Sequence, residues 1–225
     1  AGMDNVDLDA AADRNIIVRN TPEGPTLAVA ELTLGLCMNL LRKVSMMDRE
    51  LRGGIWKKRM GQNLFKKKLG IIGFGMIGQC VARVFEPLGV EIAFCDPVTE
   101  HDQYQRMEMD DLLKWADIVT IHCSVGANKG PLLGKDELNA MKPGAYLINA
   151  ARGGVVDEEA LFDVLESGHL AGAAVDVFDK EPYNGPFLEL ENVVLTPHIG
   201  SYAMESRIQM EIDTITNLIE ALNDR

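Results

Sequence analysis

The chain has 225 residues, enough for one large or two modest domains. Its formal net charge of −12 argues against nucleic acid or an anionic membrane as the main partner, because both are negatively charged themselves. Hydrophobic residues make up 47% and charged residues 25%, as in an ordinary soluble globular protein. No apolar run is long enough to span a membrane, and the acidic start does not resemble a signal peptide.

The four cysteines indicate a reducing compartment. None belongs to a Cys-x-x-Cys pair, and each falls in or beside a predicted helix or strand, as expected of buried thiols in a cytoplasmic protein. The four histidines are scattered without the spacing of metal ligands, so no metal site is expected. The cysteines are Cys37, Cys80, Cys95 and Cys123.

Few helices or strands are predicted before residue 66. A short helix is predicted over residues 6–12 and a strand over 16–18, although a lone strand needs a sheet to join. A turn then leads to a long helix over 26–52, capped by Thr26 and ended by two glycines. This helix is apolar on more than one face, so we expect it to be sandwiched between domains or subunits, with Trp56 as an interface or packing residue.

From residue 69 onward, apolar strands alternate with helical patterns. This alternation predicts an α/β fold with a doubly wound parallel sheet of the Rossmann type. A last helix, from about residue 201 to 223, carries an apolar stripe that needs a surface to bury against. The strands are predicted at 69–72, 90–95, 118–122, 145–149, 170–177 and 193–195, and helices at 109–116, 135–141 and 157–167.

A Gly-x-Gly-x-x-Gly motif follows the first of these strands and opens a helix. Gly73 allows the tight turn, Gly75 lets the backbone approach a pyrophosphate, and Gly78 lets the helix pack close to the strand. The first free N–H groups of the helix, at Met76 and Ile77, then face the anion. The motif predicts a dinucleotide site, and the alternative is a glycine-rich turn in an ordinary α/β protein.

Asp96 ends the second predicted strand, 23 residues after Gly73. This is close to the spacing of about 20 residues expected for a carboxylate that binds a ribose hydroxyl of NAD. Because Asp96 would repel a 2′-phosphate, NAD is favoured over NADP as the cofactor.

Ligands of such sheets bind at the carboxyl ends of the strands, where two side chains stand out, Arg152 and His198, with Glu181 on a neighbouring loop. The guanidinium of Arg152 can grip a carboxylate and polarise an adjacent carbonyl. His198 can exchange a proton near neutral pH, and Glu181 beside it would fix its tautomer. Each has a plainer interpretation: a structural histidine, a surface ion pair and a loop charge. The other residues that follow strands include His122, Cys123, Ala150, Ala151, Asp176 and Gly200.

Several segments together resemble one family. They are 1–7, 29–36, 54–56, 69–78, 149–158, 173–178, 181–182 and 196–200. In this order they resemble the D-isomer-specific 2-hydroxyacid dehydrogenases, and most closely the phosphoglycerate dehydrogenase branch.

The resemblance implies reversible hydride transfer between nicotinamide C4 and C2 of a small 2-hydroxy or 2-oxo acid. Arg152 would bind the substrate carboxylate, His198 would be the acid/base, and Glu181 its partner. Asp96 would bind the adenosine ribose and Asp176 would lie near the nicotinamide carboxamide. The backbone of Cys123, Ala150 and Ala151 would also contact the cofactor, and Gly200 is placed with these residues.

The resemblance also implies a domain organisation. Residues 1–20 would end a flavodoxin-like substrate domain, 21–65 would form the interdomain helix and dimerisation arm, 66–200 the NAD-binding domain, and 201–225 a helix returning to the substrate domain. The N-terminal part of that substrate domain would be absent. We therefore expect a cytoplasmic homodimer joined through the nucleotide domains, in which this chain alone binds NAD but turns over poorly or not at all.

The sequence departs from the family pattern at three places. Met76 stands where a basic residue is usual, which puts one phosphate contact in doubt. Ser124 stands where proline is usual, in an atypical loop to Gly130, and Pro25 replaces an asparagine.

Other functions stay open. They are a hydroxypyruvate or glyoxylate reductase, a non-catalytic NAD-sensing module like the C-terminal-binding corepressors, and a similar sheet that binds another nucleotide such as a methyl donor.

Overall fold

The computed structural model describes residues 2–3, 6–124 and 130–223. These residues form two compact units. The larger unit runs from Ala30 to Ile199, and the smaller one combines the residues up to Val29 with those from Gly200 onward.

A parallel sheet of seven strands forms the centre of the larger unit, in the order β3-β2-β1-β4-β5-β6-β7. The order reverses between β1 and β4, as in doubly wound folds, so the predicted fold class is confirmed. The strands are β1 (Lys68–Ile72), β2 (Glu91–Cys95), β3 (Gln105–Arg106), β4 (Ile118–Ile121), β5 (Tyr146–Asn149), β6 (Gly172–Val175) and β7 (Val193–Leu195).

Helices cover both faces of this sheet, which is why its inner strands are buried on both sides and consist mostly of apolar residues. The described helices are α1 (Leu8–Asp13), α2 (Thr26–Arg42), α3 (Val44–Arg52), α4 (Met76–Phe85), α5 (Met109–Trp115), α6 (Lys135–Ala140), α7 (Glu158–Glu166) and α8 (Met204–Asn223). One core layer packs α5, α6 and α7 on the sheet, and the other packs α2 and α4. None of the described helices is long and apolar enough to cross a membrane.

The predicted strand over residues 16–18 is wrong. The N–H of Ile16 donates to the carbonyl of Ala11 at the end of α1, and residues 16–20 join no strand of the described sheet. A β-branched run favours a strand only where a neighbouring strand offers hydrogen bonds.

The single long helix predicted over residues 26–52 is also wrong, because it is broken at Lys43. Lys43 has a left-handed backbone with φ of +55°, and the side chain of Asn39 accepts the N–H of Ser45 at 2.8 Å, which caps α3. Thr26 is the first residue of α2 rather than its cap, since its hydroxyl donates to the carbonyl of Pro22. Trp56 is 83% exposed in this chain.

In the smaller unit, α8 packs against the segment that precedes α2. Arg19 forms an ion pair with Glu220 at 2.6 Å, and the side chain of Asn217 donates to the carbonyl of Asn20 at 3.1 Å. The predicted apolar stripe of α8 is present and exposed within this chain. It consists of Ile208, Ile212, Ile215, Leu218, Ile219 and Leu222.

Candidate active site

The glycine turn after β1 is packed tightly at its first and last glycines. Gly73 has a φ of +86°, and a Cβ there would lie 2.8 Å from the backbone nitrogen of Cys123. A Cβ on Gly78 would lie 2.2 Å from the carbonyl oxygen of Gly73. Both glycines are therefore required by the fold, because they let α4 and the end of β4 approach the turn.

Gly75 differs from the other two glycines of the motif. Its φ of −71° and ψ of −159° suit any residue, and a Cβ there would have no protein atom within 4 Å. The protein's own packing therefore does not require a glycine here. Gly75 precedes the first turn of α4, whose free N–H groups attract an anion. These features fit a ligand phosphate that approaches the backbone at Gly75.

Asp96 organises this turn from the end of β2. Its carboxylate accepts the N–H of Phe74 at 2.8 Å, of Val98 at 3.0 Å and of Thr99 at 2.8 Å. Desolvation raises the pKa of Asp96, but these backbone hydrogen bonds outweigh it and hold the pKa below its ordinary value of 3.8. The charge expected to meet the ribose is therefore present, and the same carboxylate also holds the glycine turn, which the sequence did not indicate.

The loop after β5 carries Arg152. The side chain of Asn149 accepts the N–H of Ala151 and donates to the carbonyl of Arg152, both at 3.1 Å. A Cβ on Gly153 would lie 2.0 Å from the carbonyl oxygen of Phe178, so this glycine lets the loop after β5 press against the loop after β6. That contact brings Arg152 towards the loop that carries Glu181.

Glu181 and His198 form a hydrogen-bonded pair, with Nδ1 of the imidazole 2.9 Å from Oε2 of the carboxylate. The other carboxylate oxygen accepts the N–H of Phe178 at 3.1 Å. Desolvation raises the pKa of Glu181, but these hydrogen bonds and the positive charge of nearby Arg152 lower it below its ordinary value. An ionised carboxylate can only accept, so Nδ1 carries the hydrogen and Nε2 is left to exchange a proton.

Asp176 is fully buried between the ends of β6 and β7. Its Oδ1 accepts the hydroxyl of Thr196 at 2.6 Å and the N–H of Ile199 at 2.8 Å. Sequence reasoning placed Asp176 at the nicotinamide carboxamide and gave no role to Thr196. The Thr-Pro-His segment could have indicated a role for Thr196, because a hydroxyl two residues before a histidine can form a hydrogen bond that fixes the turn.

The remaining predicted cofactor residues lie at several places. Ala150 and Ala151 are buried at the end of β5, and Cys123 packs against Gly73, with burial raising the pKa of its thiol to about 11. Met76 is 49% exposed at the start of α4, beside Ile77. Gly200 belongs to the smaller unit. Residues 125–129, most of the loop noted as atypical, lie outside the described residues.

His122 is unsuited to proton exchange. Burial lowers its pKa to about 3, so the imidazole is neutral at physiological pH. Its Nε2 lies 2.9 Å from the hydroxyl of Thr120, and its Nδ1 is buried without a partner in the described structure. Across the described residues, no group of three or more His, Cys, Asp or Glu side chains is placed to hold a metal ion.

Comparison with known proteins identifies the family. A family model described as the NAD-binding domain of the D-isomer specific 2-hydroxyacid dehydrogenases matches residues 34–200. The chain therefore belongs to the D-isomer specific 2-hydroxyacid dehydrogenase family, and it contains that family's NAD-binding domain. The family resemblance of the motifs is confirmed.

The individual relatives differ in activity. The D-3-phosphoglycerate dehydrogenase of Escherichia coli (strain K12) is 41% identical over 233 residues, covering 97% of this chain and 56% of that protein. The glyoxylate reductase of Thermococcus litoralis is 38% identical, covering 97% of this chain and 70% of that protein. The crystal structure of the TT0316 protein from Thermus thermophilus matches with a TM-score of 0.94 at 39% identity, covering 100% of this chain and 74% of that one. This chain spans about half the length of the phosphoglycerate dehydrogenases that it matches.

The two kinds of glycine in the motif should respond differently to alanine. Gly75→Ala should weaken NADH binding at least about tenfold, because the new methyl group occupies the approach to the pyrophosphate. It should lower the free energy of unfolding by no more than about 1 kcal/mol, since alanine caps a helix less well than glycine. Gly78→Ala should instead destabilise the fold by about 1–3 kcal/mol through overpacking. Calorimetric titration and urea unfolding measure both quantities, and an unchanged affinity in Gly75→Ala would contradict the assignment.

The pairing of Glu181 should also be visible in the pH dependence of stability. Its folded-state pKa lies below the value of 4.5 that the unfolded chain has. The pairing therefore stabilises the fold above about pH 4.5, and this contribution is lost as pH falls through the folded-state pKa. Urea unfolding between about pH 6 and pH 3 should show a shallower loss of stability for Glu181→Gln than for the wild type. The exposed Glu189→Gln serves as the control, and equal slopes for wild type and Glu181→Gln would refute the expectation.

Proposed function

We propose that this chain is the coenzyme-binding part of an NAD-dependent oxidoreductase that interconverts a D-2-hydroxy acid and the corresponding 2-oxo acid. The observation that carries this proposal is the His198–Glu181 pair beside Arg152, at the same sheet edge as the glycine turn. A general acid/base beside a carboxylate-binding cation, at a dinucleotide site, suits the oxidation of a hydroxyl next to a carboxylate.

Each of the three side chains has a separate role. Arg152 would bind the substrate carboxylate through its guanidinium and polarise the oxygen on C2. In oxidation, Nε2 of His198 would accept the proton of the C2 hydroxyl, and in reduction it would return it. Glu181 would stabilise the imidazolium, because its Oε2 faces Nδ1 at 2.9 Å. When bound, NAD supplies the hydride acceptor at nicotinamide C4, or the donor as NADH.

We propose 3-phosphoglycerate as the substrate. The 41% identity to the phosphoglycerate dehydrogenase of Escherichia coli supports this choice. The second candidate is glyoxylate or hydroxypyruvate, supported by the 38% identity to the glyoxylate reductase of Thermococcus litoralis. A non-catalytic NAD-sensing module is the alternative in another class, and activity measurements separate it from both enzymes.

We also propose NAD rather than NADP as the coenzyme, because the ionised carboxylate of Asp96 would repel a 2′-phosphate. Calorimetric titration of this chain should then give tighter binding of NADH than of NADPH. Asp96→Asn should reduce that preference by about tenfold, or about 1.4 kcal/mol. Asparagine is preferable to alanine here, since its amide oxygen can still accept a backbone N–H of the glycine turn. Equal affinities of the wild type for the two coenzymes would contradict the proposal.

The reaction itself is tested on the full-length product of the gene. It should reduce NAD in the presence of 3-phosphoglycerate, and His198→Asn should lower kcat by about 10²–10⁴-fold while leaving NADH affinity unchanged. Glyoxylate and hydroxypyruvate, assayed in the reductive direction, form the comparison set. NADH binding without turnover of any of these acids would favour the NAD-sensing module.

Two surfaces suggest how the chain assembles. We propose a homodimer formed through the exposed apolar side chains on α3 and the loop after it, and a substrate domain that covers the exposed stripe of α8. Residues 1–20 and 201–225 would belong with that substrate domain, and 21–65 would form the interdomain helix and dimerisation arm. The exposed apolar side chains on α3 and the loop after it are Val44, Leu51, Ile55, Trp56 and Met60.

The cytoplasmic location expected from the four cysteines stays a prediction.

A further inference from the structure

His198 lies on a tight turn with an uncommon backbone conformation. Its φ of +53° is in the left-handed region, which few residues other than glycine adopt. Its N–H donates to the carbonyl of Thr196 at 3.0 Å, which closes a three-residue turn around Pro197. A conformation of this kind persists only where surrounding contacts hold it.

One carboxylate oxygen makes two of those contacts. Oδ1 of Asp176 accepts the hydroxyl of Thr196 at 2.6 Å and the N–H of Ile199 at 2.8 Å. These two residues lie on either side of His198, so one oxygen holds both flanks of the histidine. Asp176 is fully buried, and the N–H of Thr196 also continues the β6–β7 ladder by donating to Val175. The turn is therefore anchored to the sheet itself.

The imidazole depends on this anchorage because its hydrogen bond to Glu181 is partly open to water. The side chains of His198 and Glu181 are 47% and 38% exposed, so water competes for their hydrogen bond. Packing against the ring is correspondingly limited. The backbone from which the ring projects therefore helps to set the direction in which the ring points.

We propose that Thr196 and Asp176 act as a clamp that aims His198 at Glu181, and that Thr196 is a positioning residue for the proton transfer. The Thr196 hydroxyl donates to Asp176 and has no part in the proton transfer itself. It acts by holding the turn, so that Nδ1 faces the carboxylate and Nε2 faces the substrate oxygen. The kinetic consequence rests on the proposed function, whereas the pairing of the two side chains is a property of this chain alone.

The pairing can be measured on this chain without any activity. The ¹⁵N shifts of the imidazole report which nitrogen carries the hydrogen, and the wild type should show one fixed tautomer protonated at Nδ1. Thr196→Val keeps the shape of the side chain but lacks the hydroxyl, so it should show a mixture of tautomers. Exchange of the Ile199 amide hydrogen should accelerate about tenfold or more. Thr196→Ser retains the hydroxyl and should restore the wild-type behaviour.

Circular dichroism and an unchanged NADH affinity identify the variants that fold. If Thr196→Val does not fold, Thr196→Ala provides the same test. In the full-length protein, Thr196→Val should lower kcat by about 10- to 100-fold with little change in KM, and Thr196→Ser should not. A wild-type imidazole signature in Thr196→Val would overturn the clamp. Should the full-length protein turn over no 2-hydroxy acid, the proposed function fails, and the imidazole signature still decides the clamp by itself.

Discussion

Parallel pairing of the strands is the constraint on which the site depends. In a parallel sheet every strand ends at the same edge, so loops that are far apart in sequence meet there. The glycine turn after β1, the loop of Arg152 after β5 and the turn of His198 after β7 are separated by long stretches of chain. They lie on one edge because β1, β4, β5, β6 and β7 are neighbours in register. Without that register, the side chains of these loops would not meet at one site.

Three carboxylates hold the loops at this edge. Asp96 accepts three backbone N–H groups, Asp176 accepts the N–H of Ile199, and Glu181 accepts the N–H of Phe178. A charged acceptor makes a stronger hydrogen bond than a neutral one, and it satisfies loop donors that no strand would otherwise pair. Asp96 and Glu181 therefore carry two tasks each, since the charge that fixes a loop is also the charge proposed to meet the ribose or the imidazolium.

The glycines at this edge are of two kinds, those that pack against protein atoms and one that faces open space. Gly73, Gly78 and Gly153 are required by protein atoms that approach within 3 Å of where a side chain would begin. Gly75 has open space at the same position. The first group builds the scaffold, and the open space at Gly75 is where we propose that the coenzyme approaches, so a single motif would serve both stability and binding. The exposed Met76 beside Gly75 offers no positive charge, so in the proposed site the N–H groups at the start of α4 would be the donors to the pyrophosphate at this position.

Most of the sheet could be predicted from the sequence, because its inner strands are buried on both faces and appear as mostly apolar runs. The edge strand β3 could not, since two exposed polar residues form no pattern. The break at Lys43 was missed for a related reason: the side chain of Asn39 caps α3 from six residues away, against the local helical pattern. The strand predicted over 16–18 failed because strand formation needs a partner that local sequence does not provide.

Local patterns and spacing along the chain were enough to predict the fold class and the glycine turn, and the family resemblance singled out the three side chains proposed for the chemistry. The folded arrangement was needed to show that Glu181 faces Nδ1 of His198, that Asp96 holds the glycine turn, and that one oxygen of Asp176 holds both flanks of His198. Hydrogen bonds between distant loops depend on strand order and register, which no short stretch of sequence contains.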